Sequence, residues 1–175
     1  MTLKNLQVAQ SGNWAPLALD ASGGADYRTL VAQGYPQLLT VGELVSSETG
    51  NVVGPTRQAM VDRMNGQPYY QAPTSATQQA SMSISSENPQ VAMVPLVDWS
   101  AAPKGGKTTV KILDFMTLFI TGVTGNDATI TAVPIAPVAG CGLPINDASQ
   151  FGHAPLKAVL CPDNGCAAIA WWPAT

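Results

Sequence analysis

Three apolar segments decide the fold class: VAMVPLVDW (91–99), TTVKILDFMTLFITGV (108–123) and TITAVPIAPV (129–138). Each is rich in β-branched or other large apolar residues, which favour strands. The turn-forming sequence AAPKGG (101–106) separates the first two, and GVTGNDA (122–128) leads into the third. We therefore predict a three-stranded antiparallel meander in a mainly β fold, meaning a β-rich α+β fold. The meander is expected to belong to an antiparallel sheet, sandwich or barrel that carries two short helices.

The first predicted helix is ADYRTLVAQGY (25–35). Tyr27, Leu30 and Val31 share one helical face, and Gly34 is the residue type that closes a helix at its C-terminal end. Between this helix and the next, QLLTVGELV (37–45) has the β-branched and apolar density of a strand.

The second predicted helix lies within TGNVVGPTRQAMVDRMNG (49–66). Pro55 suits the first helical position, where its missing N–H is not needed, and the dipeptide Asn65-Gly66 ends the helix. An apolar stripe at helical spacing indicates core packing. Its members are Met60, Val61 and Met64.

The chain is predicted to form one β-rich domain over residues 1–175, a length that supports a core of its own. Residues 71–90 are rich in Ser, Gln and Thr and predict a flexible loop. The start, SGNWAPLALDASGG (11–24), predicts an irregular strand and loop. A cysteine-bearing tail covers about residues 140–175, and its AAIAWW (167–172) predicts an edge strand or a segment tucked on the core.

The charge content limits the classes of partner. Only 11% of residues are charged, against about 25% in ordinary domains, and the formal net charge is −3. Nucleic acid needs a concentrated basic face, so we predict no nucleic-acid binding. The stretch 128–146 is uncharged but contains three prolines, Pro134, Pro137 and Pro144, which a membrane-spanning helix would not accommodate. We predict no membrane segment within this chain.

The segment PKGGKTT (103–109) resembles a phosphate-binding loop, whose pattern is G-x-x-x-x-G-K-[ST]. Gly106, Lys107 and Thr108 match, but Ala101 stands where the first glycine belongs. The loop must also lead into a helix, whereas the sequence after Lys107 is β-branched. A hairpin bend with solvated lysines is therefore favoured. The alternative is a small nucleotide-binding protein or hydrolase that uses GGKTT.

The tail holds three cysteines and a histidine: Cys141, Cys161, Cys166 and His153. One interpretation is a disulfide between Cys161 and Cys166 across the loop CPDNGC, or between Cys141 and one of them; free buried thiols are the other metal-free state. The alternative is a zinc-stabilised binding module in which all four residues bind the metal, although the spacing lacks the usual C-x2-C knuckle. We predict no metal and no cofactor.

Catalytic patterns are sparse. The serine-nucleophile pattern G-x-S-x-G does not occur, and the single histidine has no neighbouring residue that indicates its orientation. The carboxylate pairs Glu43/Glu48 and Asp20/Asp26 fall in turn-like contexts, where such side chains are ordinarily solvated or capping. We predict that the protein is not an enzyme.

Four ordered segments resemble the pattern of TadE/TadG-like Flp pilus-assembly proteins: GNWAPLALD (12–20), Gly34-Tyr35, LTVGELV (39–45) and ETGNVVGPTRQAMVDRM (48–64). The segment VKILDFMTLFITGVTGNDATITAVPI (110–135) is similar to the closing strands of that family. The resemblance covers about residues 10–137. It implies the extracytoplasmic portion of a bacterial envelope protein, periplasmic or at the cell surface, that acts by protein contact in pilus or surface-structure assembly.

The resemblance also implies partners and site residues. The partners would be other envelope or pilus proteins, or further copies of the chain. The residues of structural or interaction interest begin the second helix: Gly54, Pro55, Arg57 and Gln58. Arg57 is expected either to clamp a carboxylate or backbone carbonyls of a neighbouring loop, or to be an ordinary surface arginine.

Overall fold

A computed structural model describes residues 6–8, 13–20, 23–48, 52–82, 84–98, 107–126, 128–136 and 169–172. Within these ranges the strands are β1 (Leu6–Val8), β2 (Asn13–Pro16), β3 (Leu44–Ser46), β4 (Val91–Asp98), β5 (Thr109–Thr124), β6 (Thr129–Pro134) and β7 (Ile169–Trp172). The helices are α1 (Gly24–Gln33), α2 (Val53–Met64) and α3 (Ala76–Ser81). The β-rich α+β fold predicted from the sequence is confirmed. None of these helices is long and apolar enough to cross a membrane.

The predicted meander forms the centre of the sheet. Strands β4, β5 and β6 pair antiparallel in sequence order, with Phe119 of β5 lying between Val91 and Val133. All residues from Val91 to Pro95 are buried. Because alternate side chains of a strand point to opposite faces, this part of the sheet is covered on both sides.

Strand β5 is long enough to serve two partners along one edge. Its first residues pair with β3 and its last with β6, while β4 occupies the other edge. Two irregularities interrupt its ladders, between Leu96 and Val97 of β4 on one side and between Ile120 and Gly122 on the other. Leu113 is the extra residue of the first, and such bulges re-aim side chains.

The outer strands complete a mixed sheet in the order β1-β6-β5-β4-β7-β2. Strand β1 pairs parallel to β6, and β7 meets β4 in parallel at Leu96 and Trp171. The segment AAIAWW, offered above as an edge strand, supplies β7, which lies inside the sheet because β2 pairs along its other side. The predicted irregular strand near the start of the chain is β2.

Two local predictions were wrong in part. Of the predicted strand 37–45 only Leu44 and Val45, which begin β3, and the isolated bridge residue Thr40 have strand character. Gly42 has φ 92° and the carboxylate of Glu43 accepts the N–H of Thr40 at 2.8 Å. The resulting turn precludes a continuous strand. The predicted loop 71–90 contains α3, because Ser75 caps the N–H of Gln78 at 3.1 Å and so starts a helix.

Helices α1 and α2 lie where they were predicted. Gly34 ends α1 with φ 85° and donates to the carbonyl of Leu30, and Asn65 ends α2 in the left-handed region. Helix α2 begins at Val53, which places Pro55 within the first turn, where an N–H is still not needed. The apolar stripe differs from the prediction at one position, since Val61 is exposed. The buried residues of α2 are Thr56, Ala59, Met60, Arg63 and Met64.

Candidate functional site

The residues predicted to matter in the GPTRQ segment lie beside a cleft between α1 and α2. The two helices run parallel, because their starts meet at Gly24 and Pro55 and their ends meet at Ala32 and Arg63. The cleft has a volume of about 780 Å³. It is lined by Gly24, Ala25, Arg28, Thr29, Ala32, Gln33, Pro55, Gln58, Asp62 and Arg63.

Close packing at the start of the cleft depends on a glycine. A Cβ atom added at Gly24 would lie 2.9 Å from Cγ of Pro55, a distance that real Cβ atoms essentially never show. Gly54, one residue earlier on α2, is exposed, and a Cβ there would meet nothing within 4 Å. The two glycines therefore differ: Gly24 permits helix contact, whereas Gly54 fills no such role.

The rim of the cleft carries a network of exposed polar side chains. Arg28 donates from Nε to Oδ2 of Asp62 at 2.6 Å and from Nη2 to Oδ1 at 3.0 Å. Its Nη1 donates to Oε1 of Gln58 at 2.9 Å. The hydrogen bonds between Arg28 and Asp62 hold the pKa of Asp62 below its ordinary value and raise the pKa of Arg28. The charges at the rim thus neutralise each other.

The floor of the cleft is held by Arg63, which the sequence analysis did not select. Its guanidinium donates to the carbonyls of Val31 at 3.1 Å, Pro89 at 2.7 Å and Val91 at 2.6 Å, with a longer contact of 3.4 Å to Ala32. Val31 and Ala32 belong to the last turn of α1, whose carbonyls lack helical partners and form the negative end of the helix dipole. Arg63 therefore caps α1 and ties it to β4.

A signal for Arg63 was present in the sequence. It lies seven positions after Thr56 and three after Met60, on the same helical face, and all three residues are buried. An arginine on the apolar face of an amphipathic helix must find acceptors, because an unpaired buried charge is costly. That spacing argument singles out Arg63 over Arg57.

Arg57 itself is exposed and reaches a different part of the molecule. Its Nη2 donates to the carbonyl of Gly125, in the turn between β5 and β6. Of the other residues predicted with it, Pro55 packs on Gly24, Gln58 accepts from Arg28, and Gly54 is exposed. The GPTRQ segment thus contributes to helix packing, to the cleft rim and to one loop contact.

A buried tyrosine lies beneath the helix pair. The hydroxyl of Tyr27 is hydrogen-bonded to Oγ1 of Thr56 at 3.3 Å, which joins α1 to α2 inside the core. Burial raises the pKa of Tyr27 to about 12, and the charge of Glu48 acts in the same direction, whereas the bond to Thr56 lowers it. Such a hydroxyl stays protonated at neutral pH.

Two of the segments quoted above, GNWAPLALD and Gly34-Tyr35, meet in space at Tyr35. Its hydroxyl donates to Oδ2 of Asp20 at 2.5 Å, linking the Gly34-Tyr35 motif to the end of GNWAPLALD. Burial raises the pKa of Tyr35, and the carboxylates of Asp20 and Glu43 raise it further. Asp20 and Leu19 both have positive φ, 69° and 42°, so this corner is conformationally demanding. The hydrogen bond between Tyr35 and Asp20 therefore gives these two segments a role in holding the fold together.

A second surface feature is an apolar patch, formed by Val41, Leu44 and Leu113, all of them exposed. Leu38, earlier in the segment 37–45, is exposed as well. The N–H of Gly42 donates to the carbonyl of Ile112, and the N–H of Ile112 donates to the carbonyl of Glu43. These bonds bring Val41 and Leu113 to the same end of the sheet. Leu44, 67% exposed, pairs there with Lys111.

The resemblance to a phosphate-binding loop gains no support from the backbone. Residues 101–106 lie outside the described part of the chain, but Thr108 donates its N–H to Oγ of Ser47 at 3.1 Å and accepts from the N–H of Ser47 at 2.8 Å. The predicted strand after Lys107 is present, because β5 begins at Thr109. The helix that a phosphate loop requires does not follow Lys107.

Cys141, His153, Cys161 and Cys166 all lie outside the described residues. Within the described ranges, His, Cys, Asp and Glu side chains form no group of three or more that could hold a metal ion.

Searches with family models, against curated proteins and against solved structures found no match to this chain.

Proposed function

We propose that the protein is a noncatalytic domain that acts by protein contact, as the extracytoplasmic part of a TadE/TadG-like envelope protein in pilus or surface-structure assembly. The observation that carries the contact role is the apolar patch. Large apolar side chains gathered on a surface commonly mark protein interfaces. Leu44 and Leu113 are each more than two-fifths exposed, at 67% and 49%.

The position of the patch supports the link to the family pattern. Val41 and Leu44 belong to LTVGELV, one of the four segments that carry the resemblance. The glycine of that segment, Gly42, has φ 92° and makes the turn that presents both side chains. The segment LTVGELV thus uses its glycine to expose apolar side chains, which fits a protein that binds other proteins.

The proposed partner is another envelope or pilus protein with an apolar surface of its own. Lys111 flanks the patch beside Leu44, so a rim of opposite charge on the partner would fix its orientation. Extracytoplasmic location follows from the resemblance and agrees with a surface solvated mainly by neutral polar groups, since only 11% of residues are charged.

The test is site-specific photo-crosslinking in cells of the source organism. A photo-reactive amino acid replaces Leu44 in one full-length variant and Val61 in another. Val61 is the matched control, since it is equally exposed at 66% but lies on α2, away from the patch. We expect a covalent adduct at position 44 whose second component is an envelope or pilus protein, and none at position 61. No adduct at 44, or the same adducts at both positions, would contradict the proposal.

The enzymatic alternative is tested separately. Titration of the full chain with ATP and magnesium in a calorimeter is expected to give no binding heat, because the N–H of Thr108 already donates to Ser47. Saturable heat that disappears in Lys107→Ala would favour the nucleotide-binding function.

The zinc-stabilised alternative is tested by elemental analysis for zinc, with and without substitution of Cys166. A mass change on reduction identifies the disulfide.

A further inference from the structure

Helix α3 is joined to the end of strand β6 by the side chain of Gln79. Nε2 of Gln79 donates to the carbonyl of Ala136 at 2.8 Å, and Oε1 accepts from the N–H of Ala136 at 3.1 Å. None of the α3 residues is buried. The helix is held in shape by local bonds, such as that from the hydroxyl of Thr74 to Gln78 at 2.8 Å. It can therefore leave the sheet without disrupting the core.

The contact lies on the outer edge of β6. The N–H of Ile135 donates to the carbonyl of Thr117 in β5 at 3.0 Å. Because successive residues of a strand direct their backbone groups to opposite edges, Ala136 presents its N–H and carbonyl away from β5. The side-chain amide of Gln79 uses one N–H as donor and its oxygen as acceptor here, as the peptide group of a neighbouring strand does. Gln79 thus occupies a strand-pairing position.

A second feature protects the same edge. Pro134 lies two residues before Ala136, so it faces the same side, and it has no N–H to donate. Strand β1 covers the edge earlier, at Ile130 to Ala132. Beyond Ala132, a proline and a side-chain amide therefore close an edge that would otherwise present unpaired groups.

We propose that α3 is a removable plug, and that the site it closes accepts the extended backbone of a second copy of this chain. Residues 128–136 carry no charged side chain, so two copies of this edge meet without like-charge repulsion. If two copies pair antiparallel about a two-fold axis, each contributes the same edge residues, so one exposed edge is enough to form the dimer. This inference concerns β6 and stands independently of the apolar patch.

The test is Gln79→Ala, with Gln67→Ala as the matched control at an exposed turn after α2. Loss of the two hydrogen bonds raises the fraction of open edge roughly tenfold. Pairing about a two-fold axis needs the edge open on both copies, so the apparent dissociation constant falls with the square of the open fraction. Sedimentation velocity over a concentration series should therefore show Gln79→Ala associating at about a hundredfold lower concentration than the unaltered chain and the control. The same concentration dependence in all three proteins would overturn the proposal.

A rescue distinguishes edge pairing from general loss of stability. Adding Ala136→Pro to Gln79→Ala removes the donor that a second copy would use, and the association behaviour of the unaltered chain should return. A destabilised fold would not be repaired by this proline. If association persists in the double variant, the site is not the edge at Ala136.

Hydrogen exchange on the unaltered chain gives a measurement that needs no variant. The amide of Ala136 should exchange together with those of α3 and much faster than the amides paired between β4 and β5. Exchange of Ala136 as slow as that of Phe119 would show that the plug does not open, and would count against the proposal.

Discussion

The floor and the rim of the α1–α2 cleft each carry an arginine, and the two are used in different ways. Arg63 on the floor is only 6% exposed and donates to backbone carbonyls of α1 and β4. Arg28 on the rim is a partly exposed side chain paired with Asp62. The comparison shows that burial, not residue type, decides what an arginine contributes.

The physical reason is the availability of water. If Arg28 is removed, water replaces it beside Asp62 at little cost, and exposed ion pairs are generally weak. If Arg63 is removed, the buried carbonyls of Val31 and Val91 lose their partner in a place that water does not readily enter. The floor is therefore expected to stabilise the fold, whereas the rim chiefly sets the polarity of the surface.

The largest effect is expected at Arg63. Arg63→Met should lower the free energy of unfolding by about 3–5 kcal/mol, because it leaves buried carbonyls without donors. Urea titration followed by circular dichroism measures it. The control is Arg57→Met on the exposed face of the same helix, which should change stability by about 1 kcal/mol or less. Equal losses in the two variants would contradict the distinction between floor and rim.

The next effect concerns Tyr27, a buried residue of α1. Its pKa is raised from 10.0 to about 12, so the protonated hydroxyl favours the folded state. This contribution is fully present below pH 10 and is lost as the pH rises through about 12. At about 1.4 kcal/mol per pKa unit it amounts to roughly 3 kcal/mol.

Tyr27→Phe is the test of that contribution. The variant should be about 1 kcal/mol less stable at neutral pH, since the bond to Thr56 is lost. Between pH 10 and 12 its stability should fall less steeply than that of the unaltered chain. Parallel pH profiles for the two proteins would show that the hydroxyl of Tyr27 is not buried as described.

A smaller effect on stability is expected where the first turns of α1 and α2 pack closely, at Gly24 and Pro55. Gly24→Ala places a Cβ against Pro55 and should cost about 1–2 kcal/mol. Gly54→Ala should be neutral or slightly stabilising, since its Cβ meets nothing and alanine favours helices. Adding Pro55→Ala to Gly24→Ala should recover part of the loss. Thermal melts of the four proteins measure this; equal changes at the two glycines would contradict it.

The sequence predicted the fold better than it predicted the cleft. The β4–β5–β6 meander and the two longer helices follow from local composition, turn residues and spacing, which act within a few residues. The turn at Gly42 was missed because it depends on the carboxylate of Glu43 accepting from Thr40, a contact that composition does not reveal. Helix α3 was missed although its start carries a local signal, since Ser75 followed three residues later by Gln78 is a helix-capping pattern.

The site needed information that the sequence holds only in part. Arg63 was recognisable by its place on the buried face of α2, but its acceptors lie about 30 residues away in both directions, at Val31 and Val91. The apolar patch was not recognisable, because the backbone bonds that bring residues 41–44 beside Leu113 join segments about 70 residues apart, as between Gly42 and Ile112. Partners distant along the chain are set by the fold.

The smallest effect is expected at the rim, and its dependence on pH carries the test. The pKa of Asp62 is lowered by its hydrogen bonds to Arg28, so the pair stabilises the folded state only while Asp62 is charged. That stability is present above the ordinary aspartate pKa of 3.8 and is lost as the pH falls through the lowered value. Asp62→Asn should thus be slightly less stable than the unaltered chain at pH 7, and the difference should vanish in acid. It should also shrink in high salt, which screens exposed charges. A difference that persisted in acid and in salt would mean that Asp62 supports the fold by packing, and the rim would then resemble the floor.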